Sequence, residues 1–203
     1  MTVELKPLSN SAKHPQLERW YYSSNPISHQ LGYGRYARRI IKALLAVDSP
    51  LVRQEYLHGI FNADRLVGFV LIYPVKDVLH LHQISHDYLK ANISRLFYLR
   101  RKSFYRKVAR ALGNHLPDKG AYIHSIVIDQ SYRNKGIGTA VLEKIAKKHK
   151  ELALYVNDKN HAAVHFYLKN GFKISHHGQF RYKNEYYGEY LMIKNESKIT
   201  TQL

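Results

Sequence analysis

The chain contains no cysteine among its 203 residues. That absence excludes disulfides, thiolate-bound metals and a cysteine nucleophile together, and it fits a reducing compartment. Long apolar runs are missing as well: no stretch approaches the roughly 18 residues of a membrane span. The first ten residues lack the basic-then-apolar layout of a secretory signal. A soluble, cytoplasmic protein without stable membrane insertion is expected. Acids are in short supply, 15 Asp and Glu against 32 Lys and Arg, for a formal charge of +17. A surface of that sign attracts polyanions, including nucleic acid, anionic lipid and phosphorylated cofactors, without choosing among them.

Aromatic residues are plentiful, with 17 Tyr, 7 Phe and one Trp, and 45% of the chain is hydrophobic. This is too much apolar surface for a disordered chain. The length suits a single domain spanning residues 1–203 with a substantial core. Residues 2–8 alternate as a first strand does. Residues 9–30, with Ser23-Ser24-Asn25-Pro26 as a turn signal, leave room for no more than a short helix. Tyr36, Ile40 and Leu44 form one stripe of a helix over 35–47. Residues 56–61 and 66–73 read as a hairpin around Asn62-Ala63-Asp64-Arg65.

Residues 75–120 differ from the rest. From His80 to Leu112 there is neither Gly nor Pro, and Ile93, Phe97, Phe104, Val108 and Leu112 recur at helical spacing. No acid stands between Asp87 and Asp118, while Lys90, Arg95, Arg100, Arg101, Lys102, Arg106, Lys107 and Arg110 are basic. The pattern predicts a cationic insertion made of one long helix or two shorter ones. Strands over 121–128, 152–156, 172–175 and 186–193 follow, with helices over 136–149 and 160–170 between them.

The most informative stretch begins at Ile126-Val127-Ile128, where an apolar strand enters a turn. Arg133-Asn134-Lys135-Gly136-Ile137-Gly138-Thr139 then opens a helix. Free amides and the positive dipole end at a helix start attract anions, and glycines let a phosphate approach the backbone. The turn lacks the Gly-Lys-Ser/Thr ending of a nucleotide P-loop and the third glycine of a dinucleotide fingerprint, since Val141 stands there.

Arg133-Asn134-Lys135-Gly136-Ile137-Gly138 resembles the acyl-CoA loop of the GNAT N-acetyltransferases, Gln/Arg-x-x-Gly-x-Gly/Ala. Asn160-His161-Ala162-Ala163-Val164-His165-Phe166-Tyr167-Leu168-Lys169-Asn170-Gly171-Phe172 is similar to a second element of that family. The resemblance covers residues 121–193 well and residues 2–73 only in the order of elements. It implies an α/β (α+β) fold: a mixed, mostly antiparallel sheet splayed at strands 4 and 5, flanked by helices. The basic insertion would fall between strands 3 and 4, where such enzymes often place acceptor-binding elements. The implied activity is acetyl transfer from acetyl-CoA to a primary amine by direct attack, with CoA as product.

Amine acetylation needs proton removal, because an alkylamine of pKa about 10.4 is neutral in roughly one molecule per 2,500 at pH 7. His124, with an ordinary pKa near 6.5 and a place on the same strand face as Tyr122, is the candidate base or proton relay. The run from Tyr122 to Ile128 is similar to the fourth strand of arylalkylamine acetyltransferases, whose proton path uses histidines at two places. Tyr122 replaces the first of them. By the same resemblance, Tyr167 is the acid beside the CoA sulfur. The backbone of Ile126, Val127 and Ile128 would pair with the pantetheine arm. Arg133, Asn134, Lys135, Gly136, Ile137, Gly138 and Thr139 would hold the diphosphate, and Asn160 would contact the cofactor.

The His82/His86 and His161/His165 pairs have zinc-like spacing but lack a third ligand, so no metal is expected. The net charge supports a rival reading: a non-catalytic GNAT-like protein that binds RNA or DNA through its basic helix around residues 90–110.

Overall fold

A computed structural model describes residues 2–8, 14–46, 49–113 and 115–195. Its strands are β1 (Val3–Pro7), β2 (Leu57–Asn62), β3 (Arg65–Pro74), β4 (Ala121–Ile128), β5 (Glu151–Asn157), β6 (Lys173–Tyr182) and β7 (Glu185–Asn195). They form one sheet in the order β1-β2-β3-β4-β5-β7-β6. Neighbours run antiparallel except β4 and β5, which run parallel and pair only at Ala121–Leu152 and Tyr122–Ala153. Beyond Tyr122 the two strands diverge and leave a slot in the sheet.

One face of the sheet buries Leu17, Ile40, Leu57, Phe69, Tyr73 and Leu191. It lies under α1 (Gln16–Ser24), α2 (Pro26–Tyr33), α3 (Ala37–Leu44) and α4 (Val78–Asn92). The insertion ends in α5 (Arg95–Leu112), which crosses on this side toward β6. The opposite face buries Val141, Leu142, Leu154, Phe172 and Met192 beneath α6 (Ile137–Ala146) and α7 (His161–Lys169). The splayed, mostly antiparallel sheet therefore agrees with the sequence reading. Among the described residues, no helix is long and apolar enough to cross a membrane.

Several elements differ from expectation for local reasons. Within residues 9–30 there are two helices rather than a short one, and residues 9–13 lie outside the described residues. Leu17, Trp20 and Tyr21 provide the buried stripe of α1. Asn25 ends that helix and caps the next, accepting from Ser28 N at 3.2 Å, with Pro26 in the first turn. The turn signal thus marks the joint between two helices. The third helix is shorter than 35–47; it covers Ala37–Leu44, and residues 47 and 48 are not described.

The insertion comprises two helices. Ser94 adopts an extended backbone and its Oγ accepts from Phe97 N at 3.3 Å, which ends one helix and caps the other. The last hairpin is longer than predicted because His176, His177 and Gln179 obscure the alternation of β6. Its turn residues Lys183 and Asn184 have φ of 49° and 64°, the left-handed pair that joins twisted strands tightly.

Strand β4 carries a bulge. Leu71 pairs with Ser125 and Ile72 with Ile123, so His124 is the additional residue. The bulge reverses the side-chain alternation, which puts Tyr122 and Val127 in the same core layer while Ile123 enters the other.

Candidate active site

At the end of β4, Asp129 organises the turn. Its Oδ1 accepts from Ser131 N at 3.1 Å and from Ser131 Oγ at 2.6 Å. Its Oδ2 accepts from Trp20 Nε1 at 3.1 Å, with the Arg19 guanidinium at 3.5 Å. These donors, the Ser131 hydroxyl foremost, hold the Asp129 carboxyl below the usual range. One carboxylate thus ties the turn to α1.

Asn134 and Gly136 then take φ of 59° and 75°, and this left-handed pair curls the backbone into a cradle. The first bond into α6 runs from Ala140 N to the Gly136 carbonyl at 3.1 Å. Ahead of it, the amides of Asn134, Lys135, Gly136, Ile137, Gly138 and Thr139 donate to no acceptor among the described residues. Arg133, Asn134, Lys135 and Gly136 are exposed. The Arg133 Nε donates to the Ile128 carbonyl at 3.0 Å, which fastens this guanidinium beside the cradle. Unspent amides, a dipole end and fixed cations suit a diphosphate. Gly138 has a separate reason to be glycine: a Cβ there would lie 2.9 Å from Phe166 Cζ, so the residue also seats α7 against α6.

The slot connects the two faces. On the α6–α7 face, Asn160 caps α7 by accepting from Ala163 N at 3.2 Å. Tyr167 packs between Phe166 and Phe172, with ring centroids at 5.1 Å and 5.4 Å, and burial raises its phenol to about 12. On the α1–α5 face, His124 lies against Tyr21, Tyr73 and Tyr122 at 6.0, 5.5 and 6.2 Å. Its Nδ1 is 3.1 Å from Ser125 Oγ. Burial, then the neighbouring His82 and His29, lower its pKa to about 3. The ordinary value near 6.5 that recommended His124 as a base therefore does not hold in this pocket, and the imidazole is neutral at physiological pH. Tyr122 spans the gap: burial raises its phenol far above the usual value, with further contributions from Glu189, Tyr155 and Tyr167.

The structure thus brings Ile126, Val127 and Ile128 to the slot beside the cradle formed by residues 133–139, with Tyr167 on one face and His124 on the other. Glu189, Trp20 and His82 escape sequence reasoning, because each reaches the site from a distant part of the chain. Asp129 serves the turn. Glu55 and Asp87 are exposed, beside Arg53 and Gln83 respectively. Among the described residues no three potential metal ligands converge.

A slotted sheet with a phosphate cradle at one lip is the architecture of an acyl-CoA-dependent transferase. The Acetyltransferase (GNAT) family matches residues 15–172, and the chain belongs to that family. No curated protein sequence matches it. Similar solved structures include an N-acetyltransferase from Staphylococcus aureus Mu50, with TM-score 0.61, 15% identity and coverage of 94% of this chain and 100% of that one. Arabidopsis thaliana NAA60 in complex with a bisubstrate analogue has TM-score 0.53 and 16% identity, covering 96% and 98%. A GNAT family acetyltransferase from Elizabethkingia anophelis with acetyl-CoA bound has TM-score 0.52 and 13% identity, covering 95% and 97%.

Proposed function

We propose that the protein transfers an acetyl group from acetyl-CoA to a primary amine by direct attack. The observation that carries this reading is the set of unspent amides from Asn134 to Thr139 at the lip of the β4–β5 slot. Arg133, Asn134, Lys135, Gly136, Ile137, Gly138 and Thr139 hold the diphosphate. The opened edge of β4 at Ile126, Val127 and Ile128 follows the pantetheine arm, and Asn160 borders it. Val127 faces its ladder partner Phe69 on β3 and the Ile128 carbonyl already accepts from Arg133, so Ile126 offers the freer backbone in that stretch. A β4 amide aimed at the thioester oxygen stabilises the charge that develops there. Tyr167 donates a proton to the departing thiolate. His124 relays protons as a neutral imidazole or orients the amine, consistent with its pocket.

The acceptor enters from the α1–α5 face, where Tyr21, Tyr122, His124 and His82 form an aromatic wall. Calorimetric titration with acetyl-CoA tests the cofactor half. Gly136→Glu places a carboxylate in an exposed cradle at a left-handed position and is expected to weaken binding at least about 100-fold, roughly 3 kcal/mol. Retained affinity in a folded variant would remove the cradle from the reading.

We propose a polyanion contact as a second property of the same molecule. Arg95, Arg100, Lys102, Arg106, Lys107 and Arg110 are exposed on α5 and form no ion pair among the described residues. Binding of single-stranded RNA that falls steeply with added salt is the expected signature.

A further inference from the structure

Glu189 lies on β7, one strand back from the slot across β5, on the face assigned to the acceptor. It pairs on β7 with Asn157, at the far end of β5 from the two residues that touch β4. Its neighbours on β7, Leu191 and Ile193, belong to the core layer under α1–α4, so its side chain shares their face. Ser28 Oγ of α2 donates to its Oε1 at 3.4 Å, and Asn25 adds a side-chain hydrogen bond. Tyr122 of β4 and Tyr155 of β5 feel its charge, and Asp158 after β5 is its other charged neighbour. Among the described residues no Lys, Arg or His forms an ion pair with it.

A half-buried carboxylate without a cation is unfavourable. It is more conspicuous in a protein with 32 basic residues and 15 acidic ones. An arriving alkylammonium supplies the missing charge. Resting on the transferase reading above, we infer that Glu189 receives the ammonium form of the acceptor at this end of the slot and removes its proton.

The step balances. The ammonium gives one proton to the Glu189 carboxylate, and the freed nitrogen lone pair forms the C–N bond at the thioester carbonyl carbon. The C–S bond breaks with its electron pair on sulfur. Tyr167 gives its phenolic proton to that sulfur and regains one from the acylated nitrogen. Glu189 then releases its proton to solvent, so each amide formed releases one proton. Burial lifts Glu189 to about 7, Ser28 and Asn25 counteract that rise, and Asp158 adds to it. A base poised near neutrality suits this step. Tyr122 stands within electrostatic reach of both Glu189 and Tyr167 and connects the two faces.

The test compares wild type, Glu189→Gln and Glu189→Asp by thiol release from acetyl-CoA with benzylamine, spermidine and a peptide bearing a free N-terminus. Glu185→Gln, on the exposed hairpin, serves as the control. For the amine that wild type accepts, Glu189→Gln is expected to lower kcat/KM about 100-fold. Acetyl-CoA affinity should be unchanged, the acidic limb of the pH profile near 7 should disappear, and Glu189→Asp should recover part of the loss. A folded Gln variant with wild-type kcat/KM and an intact limb would overturn the inference. If wild type acetylates none of the three, the proposed transfer fails for them, and 13C titration of the glutamate side chains in the CoA-bound protein decides Glu189 separately. A midpoint near 7 that millimolar benzylamine moves downward supports the amine site; a midpoint insensitive to the amine overturns it.

Discussion

On the proposed reading, the two faces of the slot meet their ligands by different means. On the α6–α7 face, the cradle consists of consecutive backbone amides from Asn134 to Thr139, so a short stretch of sequence contains the whole device. On the α1–α5 face, the wall is assembled from Tyr21 on α1, His29 on α2, His82 on α4, Tyr122 and His124 on β4, and Glu189 on β7. Local backbone geometry can be retained while side chains vary; a wall drawn from five elements depends on the packing of the whole chain. A shared cofactor and an individual acceptor would then be encoded at different sequence ranges.

This contrast can be broken or sharpened by substitution. The largest effect is expected at Phe104 of α5, which packs against Phe180 and Tyr182 with ring centroids at 5.7 Å and 5.0 Å. Phe104→Ala should cost about 3–4 kcal/mol in urea unfolding and weaken acceptor turnover more than acetyl-CoA affinity. Equal losses on both would erase the division between faces. Tyr167→Phe should reduce kcat by about 10- to 100-fold, or ~1.4–2.7 kcal/mol, with acetyl-CoA affinity retained. Full turnover would retire Tyr167 as the acid.

A third expectation concerns pH. His124 has a folded pKa near 3, below its unfolded value of 6.5, so the unfolded chain takes up this proton first as pH falls. The stability present above 6.5 is then lost progressively as pH descends toward 3. Between pH 7 and 5 this group alone should remove about 2 kcal/mol, and His124→Gln should flatten that slope in urea titrations. Glu189 opposes it, because its raised folded pKa favours the native state as it takes up a proton. An unaltered slope in His124→Gln would show that the aromatic box does not exclude the imidazolium. The smallest effect is expected on α5, where Lys102→Ala with Arg106→Ala should change stability by under about 0.5 kcal/mol. The double variant should instead make the salt dependence of RNA binding shallower, and an unchanged slope would remove these two side chains from the contact.

The same division governs what the sequence could tell. The hairpin of β2 and β3, the helices α6 and α7 and the loop between Arg133 and Thr139 follow from periodicity and turn chemistry within short windows. The joint at Asn25 was visible as a turn but not as a boundary between helices, because the stripe of Leu17, Trp20 and Tyr21 is brief and preceded by polar residues. Alternation in β6 was obscured by His176, His177 and Gln179. His124 was legible as a residue on the Tyr122 face, yet its titration depends on Tyr21, Tyr73, His29 and His82. Those neighbours come together only through tertiary packing. Glu189 carried no local signal at all. Its significance depends on what is absent around it, and no window of sequence can display that.

The insertion has a mechanical consequence. α5 is anchored to the first half of the molecule by Arg101, which donates to the Leu31 carbonyl, and by Tyr105, which donates to the Gly32 carbonyl at 2.7 Å. It is anchored to the second half by Lys107, which donates to the Arg181 carbonyl at 2.7 Å, and by its terminal Leu112 carbonyl, which accepts from Tyr155 at 2.7 Å. The seam between β4 and β5 is the weakest join in the sheet, and α5 straddles it like a brace. Any widening of that seam, and with it of the space offered to thioester and amine, would have to work against a strut that belongs to neither strand.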